Sequence, residues 1–431
     1  MLVERLDEDA VAQLGGPAGA AAHLRSLVPR GESVAQAVRE IIAEVGARGD
    51  EAVRQFTERF DTHGTTPKPL LVSAEDLDSA IKRLPLEVVA GLQVAIANVA
   101  QVADAGVDQP VALELSQGQR IALREVPVAS AAIYVPGGRA PYPSTVVMGV
   151  VTARAAGVLD VAVCSPPGPE GEIHPATLGA CRLCGVQRVY RMGGAQAIAA
   201  LAHGTESVQS VDVIVGPGNL YVQEAKLQLS ATVGIDSFAG PSDLLVLFGQ
   251  DADTHLVALD LLAQAEHGPG TLVAGISASS DTLDQLTAAL QRLAEGHPEL
   301  EKAVCVLIGV SEPRAGLVLA NAFAPEHLEL IGVAEEALAP MVQSAGCLFV
   351  GAGAASAFGD YVTGSNHILP TGGGARFAST LSPRHFRRRM PEVRIGDQAV
   401  EKLARAGAPI AQVEGFQLHA ESMLARIREN A

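Results

Sequence analysis

Hydrophobic positions follow three successive patterns along the chain. From Ser33 to Asp61, SVAQAVREIIAEVGARG and DEAVRQFTERFD repeat apolar residues every three or four positions. That is the period of amphipathic helices, with Ser33 and Asp50 placed as caps. Ser73 heads a further helix, SAEDLDSAIKRL, and a long Ala/Val helix is expected near 86–105. Ahead of these, residues 1–30 predict an arm of two short helical pieces around Gly15 and Gly16. ALELSQGQRIALREVPV then alternates about Gly118 and predicts a hairpin.

From Ala131 a third pattern takes over. AAIYVPGG, VLDVAVCSPP, QRVYRMGG and VDVIVGPGN each lead through glycine or proline into a helical stretch. LLVLFG, TLVAGIS and AVCVLIG repeat the pattern after Gly240, and LELIG and CLFVG add two more strands. Strands alternating with helices imply βαβ units, right-handed crossovers and parallel sheets, whose ligand loops lie at the C-terminal strand ends. The expected fold class is therefore α/β, with two Rossmann-like domains of parallel-rich sheet. One spans 135–239. The other is discontinuous, 31–134 with 240–378. Residues 1–30 form the arm and 379–431 a helical tail.

Composition narrows what such a fold is for. The 431 residues are 48% hydrophobic with 3% aromatics and no Trp, which suits close-packed layers and not a base-stacking surface. A net charge of −17 argues against nucleic acid or an anionic membrane as partner. The N-terminus carries acidic residues and no apolar signal core, and no apolar run is expected to reach membrane-spanning length. Five cysteines, an odd number, read as reduced thiols of a cytoplasmic protein. The pair Cys181 and Cys184 reads as two small residues on a buried helix.

Candidate chemistry centres on THLVALDLLAQAEHGPG, residues 254–270. Leu256, Val257, Leu259, Leu261 and Leu262 surround this helix with apolar groups, which predicts burial, and Gly268-Pro269-Gly270 stops it. Asp260, Gln264 and His267 share one stripe. Such a stripe is either a hydrogen-bonded part of the core or a source of donors for a cation. GPGN at 216–219 follows a strand and opens a helix. Tyr221 stands where a third glycine would complete a dinucleotide loop, so the turn is either a phosphate cradle or a tight βα connection. Glu326 beside His327 offers an acid and a base, or a solvated loop pair. Asp360, with Asn366-His367, flanks a glycine-rich loop. Glu414 and His419 lie in the tail, and the basic run RHFRRRM reads as a solvated or inter-subunit face. The nitrogen and oxygen donors His267, His419, Asp360 and Gln264 suit zinc or manganese.

In order along the chain, YVPGGRAPYPSTVVM, YRMGGAQAIAALAHGTESV, VGPGNLYVQEAK, AGPSDLLV, AQAEHGPG, APEHLEL, GDYVTGSNHILPTGGGARF and EGFQLHAES resemble the histidinol dehydrogenase family from Tyr134 to Ser422. Asp243 stands where the family usually has Glu, and Ser365 where it usually has Pro. The resemblance implies a cytoplasmic homodimer of histidine biosynthesis that oxidises L-histidinol through L-histidinal to L-histidine with NAD⁺. It implies one zinc per subunit on Gln264, His267, Asp360 and His419, and Glu326 and His327 as catalytic acid/base residues. Ser242 and Glu414 would join His327 and the metal ligands at the substrate, and Tyr134, Gln196 and Asn219 would contact NAD⁺ in the 135–239 domain. The tail would reach into the partner's site. The rival readings are a related dehydrogenase of another small alcohol, a metal hydrolase and a bilobed binding protein.

Overall fold

The computed structural model describes residues 2–28, 33–137, 140–237, 241–268 and 270–427. The chain divides into two compact units, residues 1–106 with 129–386 and residues 107–128 with 387–431. It runs through strands β1 (Leu2–Leu6), β2 (Val111–Glu114), β3 (Arg120–Pro127), β4 (Ser130–Tyr134), β5 (Asp160–Ser165), β6 (Arg188–Arg191), β7 (Val213–Val215), β8 (Gly234–Ile235), β9 (Asp243–Phe248), β10 (Leu272–Ser277), β11 (Val304–Gly309), β12 (His327–Ile331), β13 (Cys347–Val350) and β14 (Arg387–Arg394).

The first unit holds two wholly parallel sheets, as the alternation of strands and helices predicts. One has the order β6-β5-β4-β7-β8, the other β1-β11-β10-β9-β12-β13. Strand β9 shows why its sequence is a continuous apolar run. Leu244, Val246 and Phe248 pack with Val257 and Leu261 of the helix Thr254–Ala265 and with the helix Ser280–Ala294. Leu245 and Leu247 point the other way, against Leu24 of the helix Gly16–Leu27 and Leu317 of the helix Pro313–Phe323. Both faces are covered, so no polar alternation survives. Each such side chain contributes roughly 1.5–3 kcal/mol of burial.

Several elements differ from expectation. The arm contains its two helices, but β1 precedes them and pairs with β11, Leu2 opposite Val304. Val34, not Ser33, stands at the N-cap of the helix Ala35–Arg48. Asp50 is the first residue of its helix, and its carboxylate is taken by Thr205 and Ser207 instead of the helix's own N–H groups. Ser73 does cap its helix, accepting from Asp76 N at 3.1 Å. The helix Leu86–Ala105 turns Leu92, Ala95, Val99 and Ala103 inward while Val94 and Val102 stay exposed. By length and composition it could cross a membrane, contrary to the expectation that no run is long enough.

In the second unit β2 and β3 form the predicted hairpin, turning through Gly118 at φ +100°, a left-handed conformation that suits glycine. The basic run is not merely a solvated face. Arg387–Arg394 is an edge strand antiparallel to β3, and Arg389 pairs with Glu125 and with Asp108 at 3.5 Å. Pro391 is tolerated there because an edge strand leaves N–H groups unpaired. The helices Asp397–Val413 and Gln417–Leu424 then pack through Ala408, Ala411 and Ala420.

Candidate active site

The six-stranded sheet gathers its polar groups at the N-terminal edge of adjacent strands β9 and β12, the opposite edge from the one expected. Parallel pairing sets His327 beside Leu244, so Glu326 falls next to Asp243. Glu326 N donates to Asp243 Oδ1 at 2.6 Å, and Asp243 N donates to Glu326 Oε2 at 3.0 Å. Ser242 Oγ donates to the same Glu326 oxygen, and Gln264 Nε2 donates to Ser242 Oγ. The helix Thr254–Ala265 runs back against the sheet, which brings its C-terminal Gln264 to this edge. Its apolar girdle is only half buried, because Leu256 and Leu259 face outward. His267 lies beyond the C-cap residue Glu266 and is exposed.

Asp360 arrives from the helix Ser356–Tyr361, which follows β13. A side chain at Gly359 would meet the Phe349 ring at 2.6 Å, so glycine lets this helix close on the sheet. Asp360 Oδ1 lies 3.8 Å from His327 Nε2, while Glu326 Oε2 lies 3.8 Å from His327 Nδ1. The Phe349 ring stacks near His327, centroids 6.1 Å apart. His367 is held at both nitrogens: Nδ1 donates to Asp360 O at 2.8 Å, and Nε2 hydrogen-bonds Thr145 Oγ1 at 3.0 Å. Asn366 donates to Met148 O and Thr152 Oγ1. Asn366 and His367 therefore pin the Asp360 segment to the helix Pro143–Ala155, which follows β4 of the other sheet.

Burial opposes charge on His327, yet Glu326 and Asp360 outweigh it and raise the imidazole to about 9. Burial also works on Asp360, but the neighbouring His327 and the nearby His367 and His267 hold the carboxyl below its ordinary value. Asp243 is pushed up to about 7 by burial and by Glu326. Two strand positions further, burial and the nearby Asp260 raise Glu329, while Asp260 itself is raised by burial against the opposing effect of Glu329. A protonated His327 differs from the neutral base that its type suggests.

The five-stranded sheet opens a cavity of about 950 Å³ at its C-terminal strand ends, where such sheets bind ligands. Tyr134 from β4, Ser165 from β5, Gln196 after β6 and Asn219 after β7 all line it. Tyr134 OH accepts from Gly194 N at 3.1 Å. In the GPGN turn, Gly216 has φ +119°, and a Cβ there would lie 2.1 Å from Tyr134 O. Buried Lys226 donates to Gly216 O, and Asp236 accepts from Gly216 N. Asn219 Oδ1 accepts from Tyr221 N and Val222 N, so two helix-start donors are already engaged.

The structure thus brings Ser242, Gln264, Glu326, His327 and Asp360 to one edge and Tyr134, Gln196 and Asn219 to one cavity. Glu414 and His419 lie exposed in the second unit, where the His419 ring tilts against Phe416 at 5.1 Å. Among the described residues no three of His, Cys, Asp or Glu cluster as a metal site. Sequence reasoning missed the Asp243 hydrogen bonds, although the aspartate at a glutamate position was the available signal. It also missed Glu329 and Asp61, one disguised inside a strand and the other at a helix end. Burial raises the Cys181 and Cys184 thiols far from reactivity, as expected of two small residues on a buried helix.

Comparisons with known proteins agree on one family. The family model described as histidinol dehydrogenase matches residues 28–427. The histidinol dehydrogenase of Parasynechococcus marenigrum (strain WH8102) is 42% identical over 395 residues, covering 90% of each chain. That of Gluconobacter oxydans (strain 621H) is 39% identical over 406 residues, 92% of this chain and 94% of its own. The crystal structure of histidinol dehydrogenase from Elizabethkingia anophelis matches with a TM-score of 0.92 at 28% identity, covering 98% of both chains. With the family model matched over residues 28–427 and curated relatives about 40% identical over nine-tenths of its length, this chain belongs to the histidinol dehydrogenase family.

Proposed function

We propose that the chain oxidises L-histidinol to L-histidine in two NAD⁺-dependent steps, the 950 Å³ cavity holding the dinucleotide. The carrying observation is the Glu326–His327–Asp360 cluster, with Ser242 and Gln264 hydrogen-bonded to it at the β9/β12 edge. In the first step the carbinol carbon gives a hydride to NAD⁺ and the hydroxyl gives a proton to His327. In the second, water adds to the aldehyde with Glu326 accepting its proton, and the hydrate gives a second hydride to a second NAD⁺. Histidinol and water thus yield the carboxylate, two NADH and three protons. His327 acts as base once the negative charge of Asp360 is engaged, because that charge is part of what holds its proton.

The donor set fits zinc in part. Gln264 gives its amide N–H to Ser242, which leaves the amide oxygen to coordinate, and His267 lies close enough to Asp360 to lower its pKa. We assign zinc to Gln264, His267, Asp360 and His419, where it would supply Lewis-acid anchoring of the imidazole and amine of the substrate. Ser242 and Glu414 complete the substrate contacts in this reading. The donors come from both units of the chain, which a homodimer exchanging its tails would satisfy. A cytoplasmic setting fits reduced thiols and a biosynthetic role.

NADH absorbance tests the proposal: two equivalents per L-histidinol consumed, lost on chelation and regained with zinc. Absence of NADH with zinc-loaded protein would overturn it, and hydrolysis of an amide instead would establish the metal-hydrolase reading.

A further inference from the structure

Asp61 is a carboxyl that the reaction above does not use. It caps the C-terminus of the helix Asp50–Phe60 and lines the cavity beside Phe60 and His63. Gln196 Nε2 lies 3.5 Å from its Oδ2, and the backbone N–H of Gly193 also points to it. Gly194, the next residue, donates to Tyr134 OH. Asp61 is therefore linked to two of the three residues assigned to the cofactor. Burial raises its pKa to about 7, against the lowering effect of the Gly193 N–H.

Its place in the sheet says which half of a dinucleotide it meets. Gly193 and Gln196 follow β6, and β6 stands two strands from β4 in the order β6-β5-β4-β7-β8. The helix after β4 carries Thr145, the contact to His367 and through it to Asp360. The β6 end of the cavity is thus remote from the reacting groups, and the adenosine half lies there when the nicotinamide faces His327. Among the described lining residues there is no Lys or Arg, whereas Asp61, Glu170 and Glu172 are acidic. Glu172 is committed to Lys68 and Arg191. A ribose hydroxyl meets an acceptor in this wall, and a phosphate meets like charge.

We propose that Asp61 accepts a hydrogen bond from the adenosine 2′-hydroxyl of the bound dinucleotide and thereby excludes the 2′-phosphorylated cofactor. The assignment rests on the cavity being the dinucleotide site. The test uses the zinc-loaded enzyme with saturating histidinol. For wild type, 2′-deoxy-NAD⁺ has a KM about tenfold above that of NAD⁺, with kcat changing less. In Asp61→Asn the KM for NAD⁺ rises by a similar factor, the penalty for the 2′-deoxy analogue shrinks toward unity, and discrimination against NADP⁺ falls at least tenfold. Equal KM values for NAD⁺ and its 2′-deoxy analogue in wild type overturn the proposal even if the variant does not fold. An Asp61→Asn enzyme that folds and keeps wild-type NADP⁺ discrimination overturns it too. Gln196→Ala and Asn219→Ala separate the two levels. If both leave the KM for NAD⁺ unmoved, the cavity assignment fails. If both raise it while Asp61→Asn does not, only the role of Asp61 fails.

Discussion

At the scale of single residues, the β9/β12 edge works by fixing one carboxylate tightly beside one imidazole. Removing the imidazole in His327→Ala is expected to lower kcat by roughly two to four decades, the usual worth of a positioned acid/base. Glu326→Gln should slow NADH formation from histidinal more than from histidinol. A loss confined to the alcohol step would show that Glu326 does not activate water. Asp243 supports Glu326 from behind, through bonds in both directions. Asp243→Ala leaves Glu326 N without its acceptor, a loss of about 1–3 kcal/mol seen in thermal unfolding, whereas Asp243→Asn keeps an acceptor and loses less. His267→Ala and His419→Ala should each lower the zinc content measured by metal analysis, and wild-type stoichiometry in both would remove them from the ligand set. The residues of this edge were legible because their motifs are distinctive, but their hydrogen bonds were not. Register between β9 and β12 decides that Asp243 faces Glu326, and neither strand's own pattern contains that pairing.

At the scale of elements, period and punctuation revealed nearly every strand and helix of the parallel sheets, because apolar runs ending in glycine leave few alternatives. What escaped were elements defined by a distant partner. β1 is a strand because β11 offers it an edge, and β14 is one because β3 does. Asp50 is a similar case, since its partners are far along the chain. Thr205 Oγ, Ser207 N and Ser207 Oγ donate to it, and Arg54 pairs with it at 3.1 Å. Burial works against the charge, but these bonds outweigh it and hold the carboxyl below its ordinary value. A depressed folded-state pKa gives stability that is present above the unfolded value, near 4, and lost as pH falls through the folded one. Asp50→Asn should therefore melt lower than wild type at pH 7, and the two curves should converge below about pH 4. A gap that persists in acid would mean that packing, not charge, holds the helix to the 205–207 loop.

At the scale of the whole molecule, the proposed ligand set draws on both compact units, and a shared dimer site makes a sharp forecast. His327→Ala and His419→Ala, each inactive, are unfolded and refolded together. If tails are exchanged, a heterodimer gathers both defects into one site and leaves the other whole. Random pairing then restores about a quarter of wild-type activity. Verified heterodimers as inactive as their parents would show that each tail serves its own subunit. A different consequence follows from β1 lying beside β11, with Leu2 opposite Val304. During synthesis β1 precedes β11 by about 300 residues and must wait roughly 15–60 s at ribosomal speeds before its neighbour exists. The five-stranded sheet, by contrast, comes from one continuous stretch between β4 and β8 and can close while the rest is still being made. β1 is thus the strand of its sheet that waits longest for a neighbour, although β12 and β13 are made later still. Ribosome-bound chains halted after β8 should resist protease across residues 130–235 and be cut within the first thirty.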